Sequence, residues 1–244
     1  MEIYKNLLYV PAPPNGEVGL AENLIYDNKT YYRYMDTIYI PNTPSELSRD
    51  DVAALSEIRI KLNGEVIDYS YTKELISSLI GKLNDLPIDN IIDFGCGGGI
   101  LSEVIEASKY RDKIKKVTSV DISNFAVSYA RNKYKELDGI KHESFVFDGA
   151  EPLDTARDYI DAVFSSFVMH FTIYENQLEE IYRVLKSGGS FVYNDYVYNK
   201  YPSHTKKIIN RLKHIGFSVH EETIGFQHPD TKDLKLHKII KATK

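Results

Sequence analysis

The chain has 244 residues, of which 43% are hydrophobic and 27% charged, and its formal net charge is -5 at pH 7. This length is sufficient for one domain with a full hydrophobic core and a small appendage. The acidic balance argues against nucleic acid or an anionic membrane surface as the main partner. The single cysteine, Cys96, leaves no intramolecular disulfide partner and favours a reducing compartment.

The first residues, MEIYKNLLYVPAPP, contain neither a basic segment nor a long apolar one. No apolar run in the sequence approaches the roughly 20 residues of a membrane span. We therefore expect a cytoplasmic protein without a membrane partner.

Residues 1–66 are rich in proline and tyrosine, unlike the rest of the chain. The stretch NLIYDNKTYYRYMDTIYIP predicts a hairpin that turns at Asp27 and Asn28. Ser48 and Asp51 have the spacing of a capping box, which predicts the start of a helix. We interpret residues 1–66 as an accessory or lid segment made of a hairpin and a helix.

From about residue 88, short β-branched or aromatic runs alternate with helical patterns, which is typical of βαβ units around a parallel sheet. The predicted parallel strands, in chain order, are NIIDF, KKVTSVDI, HESFVFD, YIDAVFSSF and SFVYNDYVY. Helices are predicted between them, beginning with ILSEVIEASKY and with a segment whose apolar positions run from Ala126 to Leu137.

The last helix before the fifth strand has defined end signals. Thr172 and Glu175 have the spacing of a capping box at its start, and Gly188 and Gly189 predict its end.

The C-terminal part begins with the predicted helix HTKKIINRLKHIG, which Gly216 ends. Two strands follow, FSVHEETIGF and LKLHKIIKAT. Because the connection QHPDTKD is too short for a parallel crossover, we expect these strands to be antiparallel neighbours. The sequence therefore predicts an α/β fold with a mostly parallel, seven-stranded sheet and an antiparallel C-terminal edge.

A glycine-rich loop, IIDFGCGGGILS, occupies residues 91–102, between the first of these strands and its helix. A strand, a glycine turn and a helix N-terminus form a ligand site in which backbone N–H groups point at the ligand. The dinucleotide pattern G-x-G-x-x-G fails because its sixth position is Ile100, and a P-loop fails because no lysine follows. A different ligand is therefore indicated.

Two acids accompany the loop. Asp93 lies two positions before Gly95, where a negative charge repels a pyrophosphate but suits a ligand with a cationic amine. Asp121 ends the next predicted strand, where a carboxylate can accept both hydroxyls of a ribose. Together they favour an adenosine with a cationic amino-acid tail.

With these motifs the sequence resembles the class I S-adenosylmethionine-dependent methyltransferases over residues 69–244. The motifs that carry the resemblance, in order, are IIDFGCGGGILS, VTSVDIS, VFDGAEPL, YIDAVFSSFVMHF and IYRVLKSGGSFVYND. The resemblance implies a Rossmann-like sheet with helices on both faces, and residues 67–244 as the catalytic domain that binds S-adenosyl-L-methionine.

The resemblance also implies roles for individual residues. Those expected near the methionine and ribose parts are Gly95, Cys96, Gly97, Gly99, Ser166 and Phe167. Those expected at the ribose hydroxyls and the adenine are Asp121, Ile122, Asp148, Gly149 and Ala150, although Gly149 is an extra residue in the usual acid-alanine pair. Asp93 is expected at the ammonium group, and Tyr71 is a candidate for cation–π contact with the sulfonium.

Methyl transfer from a sulfonium is an in-line displacement that depends chiefly on position in a dry pocket, and it requires no metal. A base is needed only for an acceptor that holds its proton tightly. His170 and Asp195 follow the fourth and fifth predicted strands, at the edge where ligands of open α/β sheets bind, and are the catalytic candidates.

The acceptor is expected to be a small organic molecule, and the protein a monomer or a homodimer. The run SSFVMHF lacks the Asn/Asp-Pro-Pro-aromatic motif of amide and amine methyltransferases. Three alternatives stay open: transfer of an aminopropyl or aminocarboxypropyl group from the same cofactor, a catalytically silent cofactor-binding module that docks a partner, and a nicotinamide oxidoreductase.

Overall fold

A computed structural model describes residues 1–11, 21–35, 37–62, 69–83, 88–171, 176–197, 203–227 and 234–244. The predicted capping box at Thr172 and Glu175, most of the QHPDTKD connection and the boundary at residue 66 lie outside these residues. In the described part, no helix is long and apolar enough to cross a membrane.

The N-terminal part forms a five-stranded antiparallel sheet and a helix. Its strands, in chain order, are β1 (Glu2–Tyr4), β2 (Leu7–Tyr9), β3 (Asn23–Tyr26), β4 (Lys29–Met35) and β5 (Ile38–Ile40). Their order across the sheet is β1-β2-β5-β4-β3, so the segment contains more than the predicted hairpin and helix. A single 3-10 turn at Pro44–Glu46 leads into helix α1 (Arg49–Lys61).

The hairpin and the capping box are both confirmed. Asp27 and Asn28 connect β3 to β4 with φ of 48° and 56°, as a two-residue turn with left-handed residues requires. The Ser48 hydroxyl accepts from the Asp51 N–H, and the Asp51 carboxylate accepts from the Ser48 N–H. These two bonds satisfy donors that a helix start otherwise leaves free.

The remaining chain forms a seven-stranded sheet with five further helices in the described residues. Its strands are β6 (Asn90–Phe94), β7 (Lys116–Asp121), β8 (Lys141–Val146), β9 (Ile160–Ser165), β10 (Leu185–Tyr196), β11 (Ser218–Gln227) and β12 (Leu234–Thr243). Its helices are α2 (Tyr69–Gly81), α3 (Ile100–Glu106), α4 (Asn124–Tyr134), α5 (Gln177–Val184) and α6 (Ser203–Ile215).

The sheet order is β11-β12-β10-β9-β6-β7-β8, which confirms the mostly parallel, Rossmann-like α/β fold. Strands β6 to β10 are parallel, and β12 runs antiparallel between β10 and the edge strand β11. Every residue of β9 is buried, as expected for a central parallel strand covered on both faces.

The end predicted for the helix before β10 is wrong. Helix α5 ends at Val184, and the fully buried Leu185 already pairs with Ile160 of β9. Gly188 and Gly189 instead lie inside β10, where the pairing register shifts before Ser190. Burial of Leu185 against β9 therefore ends the helix earlier than the glycines do.

The accessory sheet and α1 pack onto the larger sheet through an apolar cluster. Its fully buried members include Leu7, Ile38, Ala54 and Leu55, and Phe171 from the segment after β9 belongs to it. Partly buried Ile122, directly after β7, packs against the same cluster. Helix α1 therefore lies over the carboxyl ends of the parallel strands.

A candidate cofactor site at the switch point of the sheet

The strand order reverses between β6 and β9, and two clefts open there at the carboxyl ends of the strands. Ligands of open α/β sheets bind at such a switch point. The first cleft is bordered by Asp121, Ile122 and Phe147. The second cleft is bordered by Asp93, Cys96 and Thr72. Each therefore combines apolar side chains with a few polar groups, as small-molecule sites do.

Gly95 and Gly97 line both clefts, and a side chain is disfavoured at each position for a different reason. Gly95 has φ of 75°, and a Cβ atom on it would lie 2.3 Å from Cγ2 of Val168. Gly97 has φ of 47°, but a Cβ atom there would meet no protein atom within 4 Å. Gly95 is thus needed for packing, whereas Gly97 leaves its backbone open to a ligand.

Asp121 ends β7 and lines the first cleft, as predicted. Its carboxylate accepts from the N–H groups of Gly97 and Ser123, both at 2.9 Å, and from the Ser56 hydroxyl at 3.2 Å. Burial raises its pKa, while these hydrogen bonds oppose the increase. Asp121 therefore ties the glycine loop to the end of β7 and presents a carboxylate to the cleft.

Asp93 lines the second cleft and is buried. The Tyr134 hydroxyl donates a hydrogen bond of 2.9 Å to its carboxylate. The pKa of Asp93 is raised to about 7, chiefly by burial and also by the nearby negative charge of Asp121, while the Tyr134 hydrogen bond opposes the increase. A cation bound in this cleft would reverse both effects on Asp93.

Cys96 also lines the second cleft, and burial raises the pKa of its thiol well above the usual value. A raised pKa disfavours the thiolate, so Cys96 is a small buried residue of the loop rather than a reactive one. Gly99 does not line either cleft in the described residues. It is the N-cap of α3 with φ of 71°, and it packs against Ala130 of α4.

Of the residues predicted at the adenine, Ile122 lines the first cleft and Asp148 lines neither cleft among the described residues. The half-exposed Asp148 carboxylate accepts from Arg49 of α1 at 3.1 Å and from the Ala150 N–H at 2.9 Å. Gly149, with φ of 84°, and Ala150 complete this turn without lining either cleft. The neighbouring Phe147 borders the first cleft instead.

Ser166 and Phe167, which follow β9, line both clefts, and their contact with the methionine part of the cofactor stays a prediction. Phe167 has φ of 58°, an uncommon value for an aromatic residue. Its N–H donates to Oδ1 of the buried Asn194, whose Nδ2 lies 3.2 Å from Nδ1 of His237. This buried pair from β10 and β12 holds the strained turn in place.

Tyr71 does not line either cleft among the described residues, although it lies close by. Its ring contacts Phe167, Phe226 and His237 at centroid distances of 5.5 to 6.1 Å. Its hydroxyl is buried, and no described residue forms a hydrogen bond with it. The predicted contact with the sulfonium stays a prediction.

His170 is buried, and its Nε2 lies 2.6 Å from the hydroxyl of Tyr34 in β4. The pKa of His170 is lowered to about 3, chiefly by burial and also by the positive charge of Arg59. A neutral imidazole with so low a pKa accepts a proton poorly at neutral pH. The geometry favours a role in holding β4 against the loop after β9, and the catalytic role stays a prediction.

Asp195 is buried, and both of its carboxylate oxygens have protein donors. The Thr205 hydroxyl of α6 donates at 2.7 Å and the Tyr196 N–H at 2.9 Å. Asp195 borders neither cleft in the described part of the chain. These contacts favour a structural role between β10 and α6, and its catalytic role also stays a prediction.

Helix α1 supplies site residues that the sequence reasoning missed. Ser56 and Arg59 line both clefts, and Val52 and Leu55 line the first. The sequence did contain a signal for these residues, because positions 52, 55, 56 and 59 share one face of a helix and the last two are polar.

No group of His, Cys, Asp and Glu side chains suited to a metal ion occurs in the described residues.

Residues 92–193 match the family described as a methyltransferase domain. Among curated proteins, the ribosomal protein L11 methyltransferase of Staphylococcus aureus strain MRSA252 is 26% identical over 140 residues. That alignment covers 56% of this chain but only 40% of the relative, so the chain matches less than half of the relative's length.

Solved structures share the fold. A SAM-dependent methyltransferase from Aquifex aeolicus, 17% identical, aligns with a TM-score of 0.51 over 73% of this chain and 100% of that one. The [4+2]-cyclase SpnF, 13% identical, aligns with a TM-score of 0.59 over 83% of this chain and 98% of that one.

These comparisons correct one expectation and identify one domain. The restriction of the partner to a small-molecule acceptor is wrong, because the curated relatives are named for a ribosomal protein. Most of the glycine loop, β7, β9 and most of β10 lie within the matched residues. Residues 92–193 therefore form a methyltransferase domain, in a fold that solved SAM-dependent methyltransferases share.

Proposed function

We propose that this protein binds S-adenosyl-L-methionine across the two clefts and transfers its methyl group to an acceptor. The observation that carries the proposal is the position of Asp121. It presents a buried carboxylate to the first cleft, while its bond to the Gly97 N–H fixes the glycine loop beside it. A ribose diol is a suitable donor pair for that carboxylate.

The residues of both clefts suit this cofactor in shape and charge. The open space where a Gly97 Cβ would lie gives a ligand access to the loop backbone. Ile122, Phe147 and Val168 provide apolar surface in the first cleft for an adenine ring. Asp93 in the second cleft provides an anion for an ammonium group.

When bound, the cofactor supplies an electrophilic methyl group on a sulfonium. The protein's part is to hold the two reacting molecules in line and to exclude water. Ser166 and Phe167, which border both clefts, lie where the nucleoside and amino-acid parts would meet. The turn held by Asn194 fixes these two residues before any ligand arrives.

Two alternatives from the same site predict different outcomes. Transfer of an aminopropyl or aminocarboxypropyl group would leave a nucleoside other than S-adenosylhomocysteine, so chromatography of the by-product separates these reactions. A silent binding module would give no labelled product from methyl-labelled cofactor.

The class of the methyl acceptor can be tested with the same methyl-labelled cofactor. Because the curated relatives are named for ribosomal protein L11, ribosomal proteins are the first acceptors to test. Incubation with methyl-labelled cofactor and a ribosomal protein fraction should then label a protein band.

The binding proposal is tested by Asp121→Asn. The amide keeps one acceptor oxygen but loses the charge, so we expect S-adenosylhomocysteine binding to weaken by about 1 to 3 kcal/mol, the scale of charged hydrogen bonds. Isothermal titration calorimetry measures the effect. The exposed Asp112→Asn is the matched control, and an equal dissociation constant for Asp121→Asn and the wild type would contradict the proposal.

A further inference from the structure

Arg59 is a feature of the clefts that lies outside the matched residues 92–193. It is located in the last turns of α1 and lines both clefts. Among the described residues around them, it is the only cationic side chain. Its Nε is buried and has no hydrogen-bond partner among the described residues. A buried donor without a partner costs free energy, so this position is better explained by a ligand than by stability.

The charge of Arg59 is directed toward the site. It lowers the pKa values of Asp121 and His170, although burial has the larger effect on both groups. It also lowers the pKa of Tyr196, which burial raises to about 12. Arg59 lines both clefts and acts electrostatically on Asp121, which lines the first, and the donors of a guanidinium suit a planar carboxylate.

Each cleft presents one acid and borders Arg59, and the clefts differ in their aromatic lining, which is larger in the first. The first contains Asp121 and apolar side chains, which suit the nucleoside. The second contains Asp93 as its only acid among the described lining residues, together with the Thr72 side chain. Arg59 borders both, so the second cleft offers one anion and one cation, which is the complement of an amino-acid zwitterion.

We propose that Arg59 binds the carboxylate of the cofactor's methionine tail, while Asp93 binds its ammonium group. This inference rests on the proposed cofactor site and adds a recognition residue from the accessory segment. Ser56, one turn earlier on α1, donates to Asp121 at the other end of the site. Helix α1 thus carries contacts for both ends of the cofactor.

The test compares two ligands that differ only in the carboxylate. S-adenosylhomocysteine has it, and S-adenosyl-3-thiopropylamine lacks it but keeps the amine and the nucleoside. For Arg59→Met, we expect the dissociation constant for S-adenosylhomocysteine to rise by about 10- to 100-fold, the equivalent of a lost charged hydrogen bond. The constant for the amine should change less than about twofold, because the missing interaction is absent there already.

Two further variants make the result specific. Arg59→Lys keeps the charge and should recover part of the affinity for S-adenosylhomocysteine. Lys61→Met removes a cation from the same helix, where the ammonium group contacts Glu57 and Tyr4 near the surface, and should leave both constants unchanged. Thermal unfolding of each variant identifies any loss of folded protein.

Three outcomes would overturn the inference. Wild-type affinity of Arg59→Met for S-adenosylhomocysteine would exclude the contact. An equal loss for both ligands would assign Arg59 to the position of α1 rather than to the carboxylate. If the wild-type protein binds neither ligand, the proposed function itself fails, and the inference fails with it.

Discussion

Gly95 and Gly97 allow folding and ligand binding to be separated at the scale of single residues. Gly95→Ala would force Cβ against Val168, 2.3 Å away, so we expect a loss of several kcal/mol in the free energy of unfolding. Gly97→Ala meets no protein atom within 4 Å, so only the left-handed backbone is penalised, by about 1 kcal/mol. Its new methyl group should nevertheless abolish binding of S-adenosylhomocysteine.

Denaturant unfolding and calorimetry on the two variants measure these effects. Gly81→Ala in α2 is the control, since its Cβ also meets nothing within 4 Å and a helical alanine should stabilise slightly. Normal ligand binding by Gly97→Ala would place the cofactor away from the glycine loop.

Asp93 should make ligand binding dependent on pH. Its pKa of about 7 in the free protein is raised by burial, and a bound ammonium group should lower it. Binding then releases a proton, so affinity for S-adenosylhomocysteine should fall by up to about tenfold per pH unit below pH 7 and level off above it. Titrations in two buffers of different ionisation enthalpy measure the released proton.

Asp93→Asn provides the comparison for this pH effect. The amide oxygen can still accept from Tyr134, but no carboxylate titrates. We expect the variant to bind more weakly at pH 8 and to lose the dependence between pH 5.5 and 7. The same pH profile in both proteins would assign the titration to another group.

At the scale of elements, the contact between Tyr34 and His170 joins β4 to the loop after β9. Tyr34→Phe removes the hydroxyl that lies 2.6 Å from Nε2 and leaves a buried nitrogen without this partner. We expect the free energy of unfolding to fall by about 1 to 3 kcal/mol. Because Tyr34 and His170 also stack, a double-mutant cycle with His170→Phe isolates the hydrogen bond, and additive effects would contradict the coupling.

Elements with local signals were predictable from sequence. Ser48 and Asp51 set the start of α1 because a capping box needs only neighbouring residues. The end of α5 was not predictable, because it depends on the pairing of Leu185 with Ile160, which is distant in sequence. The same reason explains why β1, β2 and β5, each of three residues, were missed.

At the scale of the whole molecule, the glycine loop of the cofactor site was predictable from the sequence, whereas the packing of helix α1 over the site was not. Asp93, Gly95, Gly97 and Asp121 follow strands of the parallel sheet, and the topology alone brings such residues together. Ser56 and Arg59 reach the site only because apolar side chains of α1 pack against Phe171 and residues of the accessory sheet. That docking depends on shape, and no local pattern encodes it.

We propose that helix α1 and the larger domain respond to the cofactor as one unit. A ligand that binds only the folded form stabilises it by about 2.7 kcal/mol at 100 times its dissociation constant. If α1 contributes Ser56 and Arg59, saturating S-adenosylhomocysteine should slow amide hydrogen exchange in α1 together with β6 and β7. Mass spectrometry of peptic fragments measures this, with β3, which carries the exposed Ile25 and lines neither cleft among the described residues, as an internal reference. Slower exchange in β6 and β7 with unchanged exchange in α1 would mean that the helix covers the clefts without taking part in binding.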